Sequence, residues 1–142
     1  MSDTNQLDGQ CLCGAVRVRI TPPAPVIEAC HCTRCRRWAG GPALSLRLVT
    51  DPQIEGGEHV VRYRSSDWAE RAFCRTCGTH LFYYYAPKDG YSFGAGLFEG
   101  TDGFALAEEI FIDEKPAGYA FAGDHERLTG AEVLAKAGIS EA

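Results

Sequence analysis

The sequence predicts a mainly β domain of antiparallel sheets with a short C-terminal helix. Short apolar stretches recur along the chain, several alternating with polar residues, as half-buried strands do. Gly-, Pro- and Ser/Asp-rich breaks separate them at short intervals. Helix signals are confined almost entirely to the last residues, so many short strands with tight turns are the simplest reading.

Val16, Val18 and Ile20 alternate with Arg17 and Arg19, and Thr21-Pro22-Pro23-Ala24-Pro25 then breaks the strand. Residues 26–29 form a strand leading into a cysteine-rich stretch. Residues 36–39 have room for one helical turn. Leu44, Leu46 and Leu48 alternate with Ser45 and Arg47, and residues 59–64 follow a Gly56-Gly57 turn. Residues 68–73, 81–85, 91–97 and 109–112 read as further strands. Tyr83, Tyr84 and Tyr85 are read as core strand residues rather than as a stacking platform. Trp38 serves equally as a pocket wall or as core packing. Asp113, Glu114 and Lys115 read as a solvated turn before Pro116. Thr129 is placed to cap a helix over residues 131–137, with Gly138 as its stop. At 142 residues the chain is expected to be one domain, residues 1–142, large enough to bury its own core.

Net charge is −5, and the basic residues are local: Arg34, Arg36 and Arg37 sit in one group, Arg71 and Arg75 in another. That balance argues against a nucleic-acid partner. No apolar run reaches the roughly 18 residues of a membrane span. The polar N-terminus MSDTNQLDGQ lacks the apolar stretch of a signal peptide, so a cytoplasmic location with reduced thiols is expected.

Seven cysteines fall into three groups: Cys11 and Cys13; Cys30, Cys32 and Cys35; Cys74 and Cys77. An odd count in a reducing compartment makes disulfides a poor account, whereas zinc takes thiolates in just such local groups. Cys74-Arg75-Thr76-Cys77-Gly78 has the form of a metal-binding turn, with Gly78 relieving it. Two pairs, Cys11 with Cys13 and Cys74 with Cys77, make one closed four-thiolate site of structural type. Cys30, Cys32 and Cys35 are left as three ligands with a vacancy, the arrangement of a catalytic zinc. The three arginines beside this group are suited to offset thiolate charge or to hold substrate carboxylates. The alternatives are free buried thiols, a redox-sensitive cluster, or a second structural zinc completed by His31 or His80. His31 lies between two candidate ligands and is expected to point away from them. His59, His80 and His125 read as surface or satisfied histidines.

The set Gly9-x-Cys11-x-Cys13-Gly14, Cys30-His31-Cys32-x-x-Cys35 and Phe73-Cys74-x-x-Cys77-Gly78-Thr79 resembles the glutathione-dependent formaldehyde-activating enzyme family, also called the GFA or CENP-V domain family. Ile110-Phe111-Ile112-Asp113-Glu114-Lys115-Pro116-Ala117 resembles its strand-and-turn signature. The likeness runs over about residues 8–125. It implies an Mss4-like, β-tent fold, a structural zinc on Cys11, Cys13, Cys74 and Cys77, and a catalytic zinc on Cys30, Cys32 and Cys35. It implies a carbon–sulfur lyase or synthase joining a thiol such as glutathione to a small aldehyde such as formaldehyde. Gly118 stands where many members carry Trp. The competing classes are a zinc-stabilised binding module and a redox or metal sensor.

Overall fold

In the computed structural model, which describes residues 5–137, the strands are β1 (Leu7–Gln10), β2 (Arg17–Ile20), β3 (Val26–Cys30), β4 (Ala43–Leu46), β5 (Gln53–Glu55), β6 (Val60–Arg64), β7 (Ala69–Cys74), β8 (His80–Tyr85), β9 (Gly90–Phe93), β10 (Ala105–Ile110) and β11 (Glu126–Leu128). The helices are α1 (Thr33–Ala39) and α2 (Gly130–Ala137). The mainly β class predicted from the turn-rich sequence is the class found. Contacts gather the chain into two compact units. One comprises Ser45–Phe104 with the chain leading up to Pro25; the other comprises Val26–Leu44 and the chain from Ala105 onward.

The first unit carries two antiparallel sheets, ordered β1-β2-β5 and β6-β7-β8-β9. Period-two patterning works as expected in β2: Val18 and Ile20 are buried while Arg17 and Arg19 face solvent. The core is aromatic and aliphatic, built from Val16, Val18, Leu46, Leu81, Phe82, Phe93 and Phe98. Phe93 packs against Phe82 and Phe98 with ring centroids 5.3 and 6.0 Å apart. Tyr83, Tyr84 and Tyr85 are half-buried rather than core residues. The Arg71 guanidinium lies 5.2 Å from the Tyr83 ring and that of Arg62 5.4 Å from the Tyr84 ring, so cations cover two of the three.

The second unit departs from the all-antiparallel expectation. Its sheet is ordered β11-β10-β3-β4, and β10 runs parallel to both β3 and β11. Patterning reports which face of a strand is buried and carries no direction. Parallel neighbours need only a connection long enough to return the chain, which residues 31–104 supply between β3 and β10. The α1 helix is longer than the single turn expected. It starts at Thr33 because Cys32, in extended conformation, acts as its N-cap. At α2, Thr129 is the cap: its hydroxyl accepts from the Glu132 amide at 3.2 Å, and the Glu132 carboxylate accepts from the Thr129 amide at 2.8 Å. Gly138, read as the helix stop, lies outside the described residues.

The turn at Gly56 depends on glycine for two reasons. Its φ is +81°, and a Cβ there would lie 1.9 Å from the Ala15 carbonyl oxygen. Gly56→Ala is therefore expected to lower stability by about 3 kcal/mol, read as a shift in the denaturant midpoint. An unchanged midpoint would refute this account of the turn.

Candidate metal centre

None of the seven cysteines is in a disulfide, and they come together in two groups: Cys11, Cys13, Cys74 and Cys77 in the first unit, and Cys30, Cys32 and Cys35 in the second. Within each group the sulfurs lie within 4.8 Å of one another. Four sulfurs placed tetrahedrally about 2.3 Å from a zinc ion would be separated by about 3.8 Å. The Cys11–Cys13 and Cys13–Cys74 sulfurs are 3.6 and 3.8 Å apart.

Two turns build the four-thiol group. The first follows β1, where the Gly14 amide donates to the Cys11 carbonyl and the Val16 amide donates to the Cys11 sulfur at 3.3 Å. The second follows β7, where the Gly78 amide donates to the Cys74 carbonyl at 2.8 Å. Gly14 and Gly78 both take positive φ, which the turns require. Thr79 ties the two turns together. Its hydroxyl accepts from the Leu12 amide at 3.0 Å and lies 3.1 Å from the Cys77 sulfur. Hydrogen bonds from the Thr79 hydroxyl and amide bring the Cys77 thiol down to about 5. Cys13 receives an amide hydrogen bond from Ala15, yet partial desolvation and the neighbouring sulfurs push it up to about 11. Four thiolates crowded this closely repel one another, and a divalent cation is the natural remedy. The donor set fits zinc.

The three-thiol group spans the end of β3 and the start of α1. Cys30 closes the strand, Cys32 caps the helix, and buried Cys35 lies in its first turn. The Cys35 amide donates to the Cys32 sulfur at 3.3 Å and the Arg36 amide donates to the Cys32 carbonyl at 2.9 Å. Hydrogen bonds from the Cys30 and Cys35 thiols and from backbone amides hold the Cys32 thiol well below its ordinary value; Cys30 moves up in response. This donor set also fits a soft divalent metal.

His31 does point away from the cysteines. It is fully buried, with Nε2 2.7 Å from Glu109 Oε1 and Nδ1 3.0 Å from the Tyr119 hydroxyl. Neither His31 nor His80 belongs to either sulfur group. Glu109 lies within β10, and the sequence reading gives it no role beyond starting a strand over residues 109–112. It is 1% exposed, and its other oxygen meets His125 Nε2 at 2.6 Å and Arg127 Nε at 3.1 Å. Burial disfavours its charge, but hydrogen bonds from His125 and His31 outweigh that and hold the carboxyl below its usual value. His125 is thus a satisfied histidine, with an unforeseen partner. The only local hint was an acidic residue inside an apolar strand pattern.

The turn at residues 113–115 is not simply solvated. Asp113 accepts from the Gly130 amide at 2.9 Å. Glu114 accepts from the amide and hydroxyl of Thr33 at 2.8 and 3.1 Å, at the positive end of α1. Lys115 donates to the Pro116 and Tyr119 carbonyls and lies 5.0 Å from the Tyr119 ring centroid. These contacts border a cleft of about 470 Å³ lined by Thr33, Arg36, Arg37, Gly40, Gly41, Pro116 and Tyr119; α1 contributes to it, but none of the three cysteines is among its lining residues. Trp38 is not among its lining residues. Gly118 is exposed, and a Cβ added to it would meet nothing within 4 Å.

A family model described as glutathione-dependent formaldehyde-activating enzyme matches residues 6–114. An uncharacterised lyase of Schizosaccharomyces pombe is 35% identical over 130 residues, covering 91% of this chain and 95% of that protein. A protein of Halomonas elongata, provisionally named a glutathione-dependent formaldehyde-activating enzyme, is 34% identical over 87 residues, 55% of each chain. A Rhodobacter sphaeroides protein of known crystal structure shares the fold, with a TM-score of 0.58 and 23% identity over 70% of this chain and 99% of that one. Among the described residues, no helix is long and apolar enough to cross a membrane.

Removing the Glu109 charge leaves His31, His125 and Arg127 without their common partner. Glu109→Gln is expected to cost about 3 kcal/mol of stability at neutral pH, measured by chemical denaturation. Because the folded carboxyl titrates below its ordinary 4.5, its stabilisation is complete above that pH and fades as pH falls through the lowered value. A wild-type acid limb that survives in Glu109→Gln would show that other groups produce it.

Proposed function

This chain belongs to the glutathione-dependent formaldehyde-activating enzyme family, and from that membership we propose that it is a zinc-dependent carbon–sulfur lyase, joining a thiol to a small aldehyde and releasing them in reverse. Glutathione and formaldehyde are the first pair to consider, given the family's description and the name of the Halomonas elongata relative. Cys11, Cys13, Cys74 and Cys77 hold a structural zinc, and Cys30, Cys32 and Cys35 hold a second, catalytic one.

The observation that carries the proposal is a group of three thiols on the same β3–α1 segment that lends Thr33, Arg36 and Arg37 to a basic cleft. A zinc ion held by these thiols supplies a Lewis acid and favours the ionised form of a bound thiol. The chain itself supplies orientation. Arg36 is held in place, its Nε donating to the His31 carbonyl at 2.9 Å, while Arg37 stands exposed. Together they offer donors to the carboxylates of a peptide-like thiol. Fixing thiol and aldehyde in one cleft converts an encounter in solution into a reaction between neighbours. In the balanced reaction a carbon–sulfur bond forms, the carbonyl becomes a hydroxyl, and the thiol proton ends on that oxygen. The family description and the lyase-named relative favour an enzyme over a binding or sensing protein. A cytoplasmic location would supply reduced thiols.

The direct test is NMR exchange between formaldehyde plus glutathione and their adduct, with protein of measured zinc content. Wild type is expected to bind two zinc ions and to accelerate exchange. Cys32→Ser is expected to keep one and to leave the rate at its uncatalysed value. Two bound zinc ions with no acceleration would refute this substrate pair.

A further inference from the structure

The three-thiol group depends on how α1 is seated against the end of β10. Cys30 is placed by the sheet: it pairs with Ile110, and the His31 amide donates to the Ile110 carbonyl at 3.1 Å. Cys32 and Cys35 are placed by α1, whose cap and first turn they occupy. A contact that ties α1 to the chain leaving β10 therefore sets where these two lie relative to Cys30. Glu114 makes that tie. Its Oε1 accepts from the Thr33 amide at 2.8 Å and from the Thr33 hydroxyl at 3.1 Å. A backbone amide only donates, so the direction of the shorter bond is fixed. Cys32 is thus bracketed, with His31 held by Ile110 on one side and Thr33 held by Glu114 on the other.

The chain takes a left-handed conformation at Phe111, with φ 56° and ψ 44°, between these two holding points. That conformation is rare for a bulky side chain, and it persists only where surrounding contacts demand it. A 3-10 turn, Ile112–Glu114, follows, and the Glu114 amide donates to the Phe111 carbonyl at 3.0 Å. Asp113 of the same turn has a different partner, the Gly130 amide at the start of α2. Two adjacent carboxylates therefore serve two different helices.

We propose that Glu114 is a positioning residue for the three-thiol metal site: by holding Thr33 it fixes Cys32 and Cys35 relative to Cys30. The proposal rests on the reading that these thiols hold the second zinc. Groups that orient metal ligands without touching the metal change its affinity by about 10–100-fold.

Zinc affinity at each site of the full chain tests this, measured by competition with a chromophoric chelator, with cobalt(II) spectra reporting ligand geometry. Wild type is expected to bind two ions. Glu114→Ala is expected to weaken the three-thiol site by about tenfold, to alter its cobalt spectrum, and to leave the four-thiol site unchanged. Glu114→Asp, one methylene short of Thr33, is expected to behave like Glu114→Ala. Glu114→Gln keeps both reach and acceptor and is expected to retain most of the affinity. Asp113→Ala frees the same turn from α2 and is expected to leave both sites as they are. Unchanged affinity in Glu114→Ala, or an equal loss in Asp113→Ala, overturns the proposal. Hydrogen exchange reads the contact itself: the Thr33 amide is expected to exchange faster in Glu114→Ala, and an unchanged rate overturns the proposal. Wild type binding a single ion removes the second metal site and the proposal with it. Two ions held equally well by wild type and Glu114→Ala remove only the role of Glu114.

Discussion

A carboxylate without solvent organises the second unit. Glu109 is buried and ionised, a costly state unless every lone pair is met. His31, His125 and Arg127 meet them from the neighbouring chain segments. Arg127 stands directly across from Glu109 in the parallel β10–β11 pairing, so its guanidinium needs no long reach. The buried side chains of this unit, among the described residues, are Ala29, Cys35, His31 and Glu109. No large apolar side chain is among them. Where apolar burial is this scarce, polar contacts decide the arrangement, and their angular demands fix it more narrowly than packing would.

The first unit solves the same problem by other means. Phe82, Phe93, Phe98, Leu46 and Leu81 supply an apolar core, and the four-thiol group sits at the turns that end its strands. Cys11 and Cys74 are buried, whereas Cys13 is exposed and Cys77 intermediate. A metal held there would join turns 61 residues apart and stabilise the folded state by binding it alone. In the second unit the sulfurs share residue neighbours with the polar core: His31 is bonded to Glu109 and flanked in sequence by Cys30 and Cys32. The orientation of the histidine and the placement of two sulfurs are therefore one constraint.

What the sequence disclosed was local. Val18 and Ile20 announce a strand because neighbours two apart share a face. Cys74 and Cys77 announce a metal turn because their spacing suits one. Thr129 announces a helix start because a hydroxyl just before a helical stretch can cap it. The features that stayed hidden join distant residues. His31 and Glu109 are 78 apart, and Thr33 and Glu114 are 81 apart. No periodicity encodes such pairs. They follow from β10 lying between β3 and β11, a parallel arrangement that strand patterning cannot specify. Cys32 as an N-cap was hidden for another reason. A thiol is a poor cap on its own, and the propensity rules for helix starts pass over it. Its place becomes sensible only when the amide it accepts also serves to stabilise a thiolate.

The local charge around the three-thiol group runs against that of the whole chain. A net charge of −5 disfavours approach by an anion, yet the cleft carries Arg36 and Arg37, with Lys115 adjoining. Screening confines the unfavourable long-range field to about 8 Å at physiological ionic strength, so nearby cations dominate once a ligand is close. The two arginines differ in readiness. Arg36 is braced by the His31 carbonyl and the Thr33 hydroxyl, while Arg37 is exposed. A braced guanidinium loses little freedom when it meets a carboxylate, whereas an unbraced one must give up rotamer entropy first. Bracing Arg36 through the backbone of His31 also fixes the cation relative to Cys30 and Cys32. The distance between an anchored carboxylate and the sulfurs is then set by one rigid segment, and a ligand that spans it correctly meets both ends without rearrangement.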